Sequence, residues 1–190
     1  MRPPRAAVGW LSALVAGALL TACAVPDQSQ PDIINGSRPV GRPSAVSHPG
    51  SPAAARIEVY LVSGSNQLTA VSRPDPSSGL STAVAALLAG PTSQEQAAGL
   101  SSAIPVGTTL NSVRQSGSTA DLDFSDALAS VSGREQLLAF AQIVLTADSL
   151  TQVDRVRISI AGQEVNAPEP NGTLAQGPVT KSDYASLVAP

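Results

Sequence analysis

Alternation of apolar and polar positions begins at Arg56. Ile57, Val59 and Leu61 share one face, with Glu58 opposite, which predicts a half-buried strand. Gly64-Ser65-Asn66 turns the chain, Leu68 to Arg73 reads as a second strand, and the two form a hairpin that Pro74 and Pro76 end. Leu80, Val84, Leu87 and Leu88 then recur at helical spacing, with Ser78 or Ser81 able to cap the start and Gly90-Pro91 as a stop. Ser93-Gln94-Glu95-Gln96 has capping-box spacing and predicts a short helix ending near Gly99. Strands follow at Leu110 to Arg114 and at Thr119 to Phe124, the latter with Ala120, Leu122 and Phe124 on one face.

Ser132-Gly133-Arg134-Glu135 reads as a second capping box. It opens a helix that buries Leu137, Phe140, Ala141 and Val144, with Leu138 and Leu145 at the edge of the stripe. Val156, Ile158 and Ile160 alternate with Arg155, Arg157 and Ser159 as a fifth strand, Gly162 turns the chain, and Gln163 to Val165 pair briefly. The expected class is α+β, a two-layer sandwich with one mixed sheet of about five strands and two main helices on one face. The fourth strand, long helix and fifth strand form a βαβ unit, so those two strands are expected to be parallel.

The flanks differ in kind. Arg2 and Arg5 precede an apolar run from Ala6 to Leu20, too short to span a bilayer, which needs about 20 apolar residues. Residues 1–22 therefore read as a signal peptide. Leu20-Thr21-Ala22-Cys23 resembles the bacterial lipobox, which implies lipidation of the Cys23 thiol and anchoring through two acyl chains. The competing reading is a chance Cys beside an ordinary leader. Residues 23–55 carry six Pro (26, 31, 39, 43, 49 and 52) among Ser, Gly and Gln, a tether that holds the domain off the membrane. Residues 56–165 form the domain, and from Asn166 to Pro190 a mostly extended tail is expected. Within it Tyr184 and Leu187 either dock back or form a short partner-binding segment, docking being favoured.

Composition removes several chemistries. The chain has 11 Lys+Arg against 14 Asp+Glu, and without Arg2 and Arg5 the balance is 9 against 14, a net −5 with no basic cluster. That excludes an electrostatic nucleic-acid binder. One Cys and one His exclude a disulfide and any multi-Cys or multi-His metal site, and His48 lies in the tether without a fixed partner. No catalytic triad, nucleophile elbow or phosphate loop is present. Asp121, Asp123 and Asp126 invite a cation, but cross-strand ion pairs with Arg155 and Arg157 account for the strand carboxylates without one. No metal, cofactor or catalytic residue is therefore assigned. Asp121, Asp123 and Glu135 would be the carboxylates of a cryptic hydrolase.

Val59-Tyr60-Leu61 with its hairpin, Leu87-Leu88-Ala89-Gly90-Pro91-Thr92, the run Gly99 to Pro105, and the turn Pro105-Val106-Gly107-Thr108 resemble the GerMN (sporulation and spore germination) domain. Asp123 in Ala120-Asp121-Leu122-Asp123-Phe124-Ser125 stands at that pattern's acidic position. The resemblance covers residues 56–165. It implies an extracytoplasmic α/β domain, often on lipoproteins of high-GC Gram-positive bacteria, linked to sporulation-envelope assemblies and sometimes found beside envelope sensor kinases. The family has no established enzymatic site. The protein that names it carries two copies; this chain carries one. The expected function is a lipid-anchored, non-enzymatic module on the outer face of the cell membrane that engages an envelope protein. The alternative is a small-molecule or cell-wall-glycan binding module.

Overall fold

A computed structural model describes residues 55–75, 77 and 79–190. The leader, Cys23 and His48 lie outside the described residues. Strands β1 (Arg56–Val62) and β2 (Leu68–Pro74) form the expected antiparallel hairpin, with Val59 opposite Val71. Helices α1 (Leu80–Leu88) and α2 (Ser93–Ala97) follow, then β3 (Leu110–Ser116), β4 (Thr119–Phe124), a 3₁₀ turn at Asp126–Ser130, α3 (Gly133–Asp148), β5 (Arg155–Ile160) and β6 (Gln163–Glu164). A second 3₁₀ turn spans Lys181–Leu187. β4 and β5 are parallel neighbours, joined through α3 as the βαβ reading requires.

The α+β class stands, but the strands form two sheets instead of one. β1 and β2 make a two-stranded sheet; the other has four strands in the order β3-β4-β5-β6. The reason lies at the outer edge of β1, where no strand is needed. Val62 exchanges both backbone hydrogen bonds with Ser101 (2.9 and 2.8 Å). The Tyr60 N–H donates to Thr146 Oγ1 (3.1 Å), Gln142 Nε2 donates to the Tyr60 carbonyl (2.8 Å), and Ser149 Oγ shares its proton between the Thr146 carbonyl (2.7 Å) and the Glu58 carbonyl (3.2 Å). Residues 142, 146 and 149 recur at helical spacing, so one polar stripe of α3 takes the place of a strand.

α3 is accordingly a central element. The sequence stripe predicts one buried face; instead every residue from Leu138 to Ala147 is buried. β1, α1, β5 and the Lys181–Leu187 turn all pack on it. The capping box expected at Ser132 and Glu135 is not formed. Gly133 has φ +60°, which turns the first helical residue away from the geometry that a Ser132 cap needs, and the Ser132 side chain makes no capping bond. A capping box forms one residue before the other expected position, at Thr92 and Glu95, where Thr92 Oγ1 accepts from the Glu95 N–H and Glu95 Oε2 accepts from the Thr92 N–H (3.3 and 2.7 Å).

Residues 166–190 are mostly irregular, yet they are not a free tail. Val179 exchanges both backbone hydrogen bonds with Val156 on β5 (2.8 and 2.9 Å), and the Ala189 N–H donates to the Leu68 carbonyl on β2 (2.8 Å). Val179, Tyr184 and Leu187 are buried. The segment thus joins the two sheets and closes the core over α3, with Tyr184 docked as the sequence favours.

Candidate functional site

The Leu-Leu-Ala-Gly-Pro-Thr stretch is a corner held by one arginine. α1 ends at Ala89, and Gly90, at φ +74°, reverses the chain into Pro91 and the Thr92 cap of α2. Arg73, at the end of β2, reaches into this corner. Its Nη1 donates to the Ala86 carbonyl (2.6 Å) and its Nη2 to the Gly90 carbonyl (3.0 Å), which places a cation on the negative end of the α1 dipole. Its Nε and Nη2 also donate to Glu95 Oε1 and Oε2 (3.1 and 2.6 Å), a two-point pair with both side chains largely buried. The bond from Arg73 holds the Glu95 carboxyl below its ordinary value of 4.5, although desolvation opposes it.

A lowered folded-state pKa gives stability that is present above the unfolded value and lost as pH falls through the folded one. Urea midpoints are therefore expected to drop as pH is lowered from about 5 towards 3. Glu95→Gln should cost about 1 kcal/mol at pH 7 and show a smaller acid loss over that window. Matching acid profiles for the two proteins would remove the clamp from the account.

The same corner forms one wall of a groove of about 430 Å³, lined by Leu88, Gly90, Pro91, Leu100, Ile104 and Val106 among others. None of its lining side chains is charged. The opposite wall is the Pro105-to-Thr108 turn, closed by the Thr108 N–H and Oγ1 donating to the Pro105 carbonyl (3.1 and 2.8 Å), with Gly107 at φ +88°. This turn holds Val106 out at 104% relative exposure, while most large apolar side chains of the domain are buried. From below, the Ala103 N–H donates to Gln142 Oε1 (2.8 Å), which fixes the Ser101-to-Pro105 wall to α3.

On the outer face of the larger sheet, Asp121 stands directly opposite Arg157, and Arg157 Nη1 lies 2.9 Å from Asp121 Oδ1, the cross-strand pair expected there. The second expected set does not pair. Asp123 accepts from Asn111 Nδ2 (3.1 Å) and from the Gly162 N–H (2.8 Å), and Arg155 makes no ion pair among the described residues. Arg157 Nε instead lies 3.2 Å from Glu164 Oε1, without hydrogen-bond alignment. Asp126 opens the 3₁₀ turn after β4, and Glu135 stands exposed on the first turn of α3, outside the groove that holds Asp121 and Asp123. Among the described residues no group of three or more His, Cys, Asp or Glu is placed to hold a metal ion. None of their helices is long and apolar enough to cross a membrane.

Residues 58–166 match the family model Germane, described as sporulation and spore germination. The chain belongs to this family. As a GerMN domain it is similar to the first GerMN domain of the sporulation protein GerM from Bacillus subtilis, with 27% identity and a TM-score of 0.57 over 68% of this chain and 99% of that one. The tandem GerMN domains of the same protein align at 23% identity and a TM-score of 0.55, over 68% of this chain and 47% of the tandem. No curated protein matches. The span matched to the Germane model contains the Arg73 clamp, the Val106 turn and the polar sheet face; it ends where the C-terminal segment begins. Sequence reasoning passed over Arg73, which reads only as the last residue of a strand, and Gln142, an amide inside the apolar run of α3.

Proposed function

We propose that this GerMN domain is a non-catalytic interaction module, lipid-anchored at Cys23 on the outer face of the cell membrane, and that it engages an envelope protein or assembly through the Val106 groove. The observation that carries this reading is a fully exposed Val106 on a braced turn, beside an uncharged groove built from the family's own motif residues. An apolar side chain held rigidly in water costs solvation and suits a protein contact. The Leu20-to-Cys23 lipobox and the Pro-rich tether support the placement. The solved relative is a domain of a sporulation protein, and the envelope-assembly role rests on the family resemblance.

A photo-crosslinking residue at position 106, in cells, should capture one reproducible envelope protein. Cys23→Ala should weaken the capture and move the chain out of the membrane fraction. Val106→Asp should abolish the interaction while changing stability by less than about 0.5 kcal/mol, since the side chain packs on nothing. Co-purification of the captured protein with Val106→Asp would move the interface elsewhere, and membrane retention of Cys23→Ala would remove the lipid anchor.

A further inference from the structure

Strand alternation places Ser112 and Arg114 of β3, Asp121 and Asp123 of β4, and Arg157 and Ser159 of β5 along one groove of about 320 Å³. That size lies near the lower end for small-molecule sites, roughly 300–1,000 Å³. Its polar groups divide into those already engaged and those left over. Asp123 has both oxygens occupied, by Asn111 and by Gly162. Arg157 is committed to Asp121 Oδ1 and lies beside Glu164. Arg114 stands opposite Asp121 in register, but Arg157 has taken Oδ1 of that carboxylate, and the Arg114 guanidinium has no partner among the described residues. Asp121 Oδ2 and the Ser112 and Ser159 hydroxyls are likewise left over.

We propose that this face binds a small hydroxylated carboxylate, the chemistry of an acidic sugar. The planar donor fork of Arg114 matches a carboxylate at two points. Asp121 Oδ2, directly across from Arg114, and the Ser112 and Ser159 hydroxyls, two positions along the strands on either side of Asp123, match hydroxyl groups of the same ligand. A phosphate dianion fits worse. Only one free guanidinium is offered, and the Asp121 and Asp123 charges on the neighbouring strand repel a second negative charge. The groove lining has no aromatic side chain, so affinity rests on hydrogen bonds and is set at about millimolar. This site is separate from the Val106 groove and stands or falls without it.

Saturation-transfer NMR on the full chain in detergent micelles tests the site with D-glucuronate and D-glucose, which differ at the carboxylate. Glucuronate should give a saturable signal, with glucose at least tenfold weaker. Arg114→Gln should weaken glucuronate at least tenfold, whereas Arg155→Gln, a free cation on the same face outside the groove, should leave it unchanged. Thermal unfolding of both variants should match the parent, since neither side chain has a partner to lose. Equal signals from the two sugars, an unaffected Arg114→Gln, equal loss in Arg155→Gln, or displacement by equimolar inorganic phosphate would each overturn the proposal.

Discussion

Tyr184→Ala is expected to lower the unfolding free energy by about 4 kcal/mol, read as a shift in the urea midpoint. Tyr184 is fully buried, and an aromatic side chain removes roughly 150–250 Å² from water. Its hydroxyl donates to the Pro168 carbonyl (3.0 Å), so Tyr184→Phe separates the two contributions and should cost about 1 kcal/mol. The truncation should also act locally. The amides of Val156, Val179 and Ala189 form the backbone ties between the C-terminal segment and the two sheets, and they should lose exchange protection first. Burial pushes the Tyr184 phenol above its ordinary value of 10. A raised folded-state pKa gives stability that is present below the unfolded value and lost as pH rises, so the parent should weaken above about pH 10 by an amount that Tyr184→Phe does not show. A midpoint shift worth less than about 1 kcal/mol in Tyr184→Ala would return residues 166–190 to the status of a tail.

That segment shows why part of this fold was hidden in the sequence. Its core contacts come from Ala167, Ala175, Val179, Tyr184 and Leu187, spaced at no strand or helix period. Its backbone meets the two sheets at single bridges, Val156 with Val179 and Leu68 with Val188, and meets itself at one, Pro168 with Leu174. Nothing of that kind produces a pattern along the chain. β1, β4 and β5 were legible because each sets apolar residues in alternation against one core. The parallel βαβ unit followed from their order around α3. The split into two sheets was not legible, because it depends on Gln142 and Thr146 meeting Tyr60 at sequence separations of 82 and 86 residues.

The polar sheet face divides the same way. Asp121 with Arg157 is a direct consequence of period-two alternation on neighbouring strands. The partners of Asp123 depend on local irregularities: a register shift between Leu110 and Ser112 lies beside Asn111, and the turn after β5 presents the Gly162 N–H. Arg114 is left free because Arg157, on the other side of β4, pairs with its register partner Asp121, so the leftover donor was invisible until the strands were aligned. The Leu87-to-Thr92 motif could be matched to its family from the residues alone. What its corner does, which is to bring the Gly90 carbonyl together with the flanking Ala86 carbonyl and the capping Glu95 onto Arg73, needed the fold.

Gln142→Leu is the second large effect, an expected loss of about 3 kcal/mol despite similar size and a more apolar side chain. Gln142 is fully buried inside α3 and satisfies two backbone groups at once, donating to the Tyr60 carbonyl and accepting from the Ala103 N–H, both at 2.8 Å. Leucine leaves both unpaired, at about 1–3 kcal/mol each, and its own burial offsets part of that. Thr146→Val leaves only the Tyr60 N–H unpaired and should cost about 1–2 kcal/mol. The double variant should lose less than the sum, because both side chains hold the same peptide edge of β1. Gln142→Glu sets the sign independently. A protonated carboxyl can still donate to Tyr60 and accept from Ala103, whereas the carboxylate cannot donate and is buried without a cation. Its folded-state pKa is therefore raised, and this variant should recover relative to the parent as pH falls towards about 4. Because the Ala103 contact also fixes the Ser101-to-Pro105 wall, Gln142→Leu should weaken crosslinking from position 106 even under conditions where the chain remains folded. A loss below about 1 kcal/mol, or no acid recovery in Gln142→Glu, would mean that Gln142 adds little to the edge of β1, which Ser101 and Thr146 would then hold.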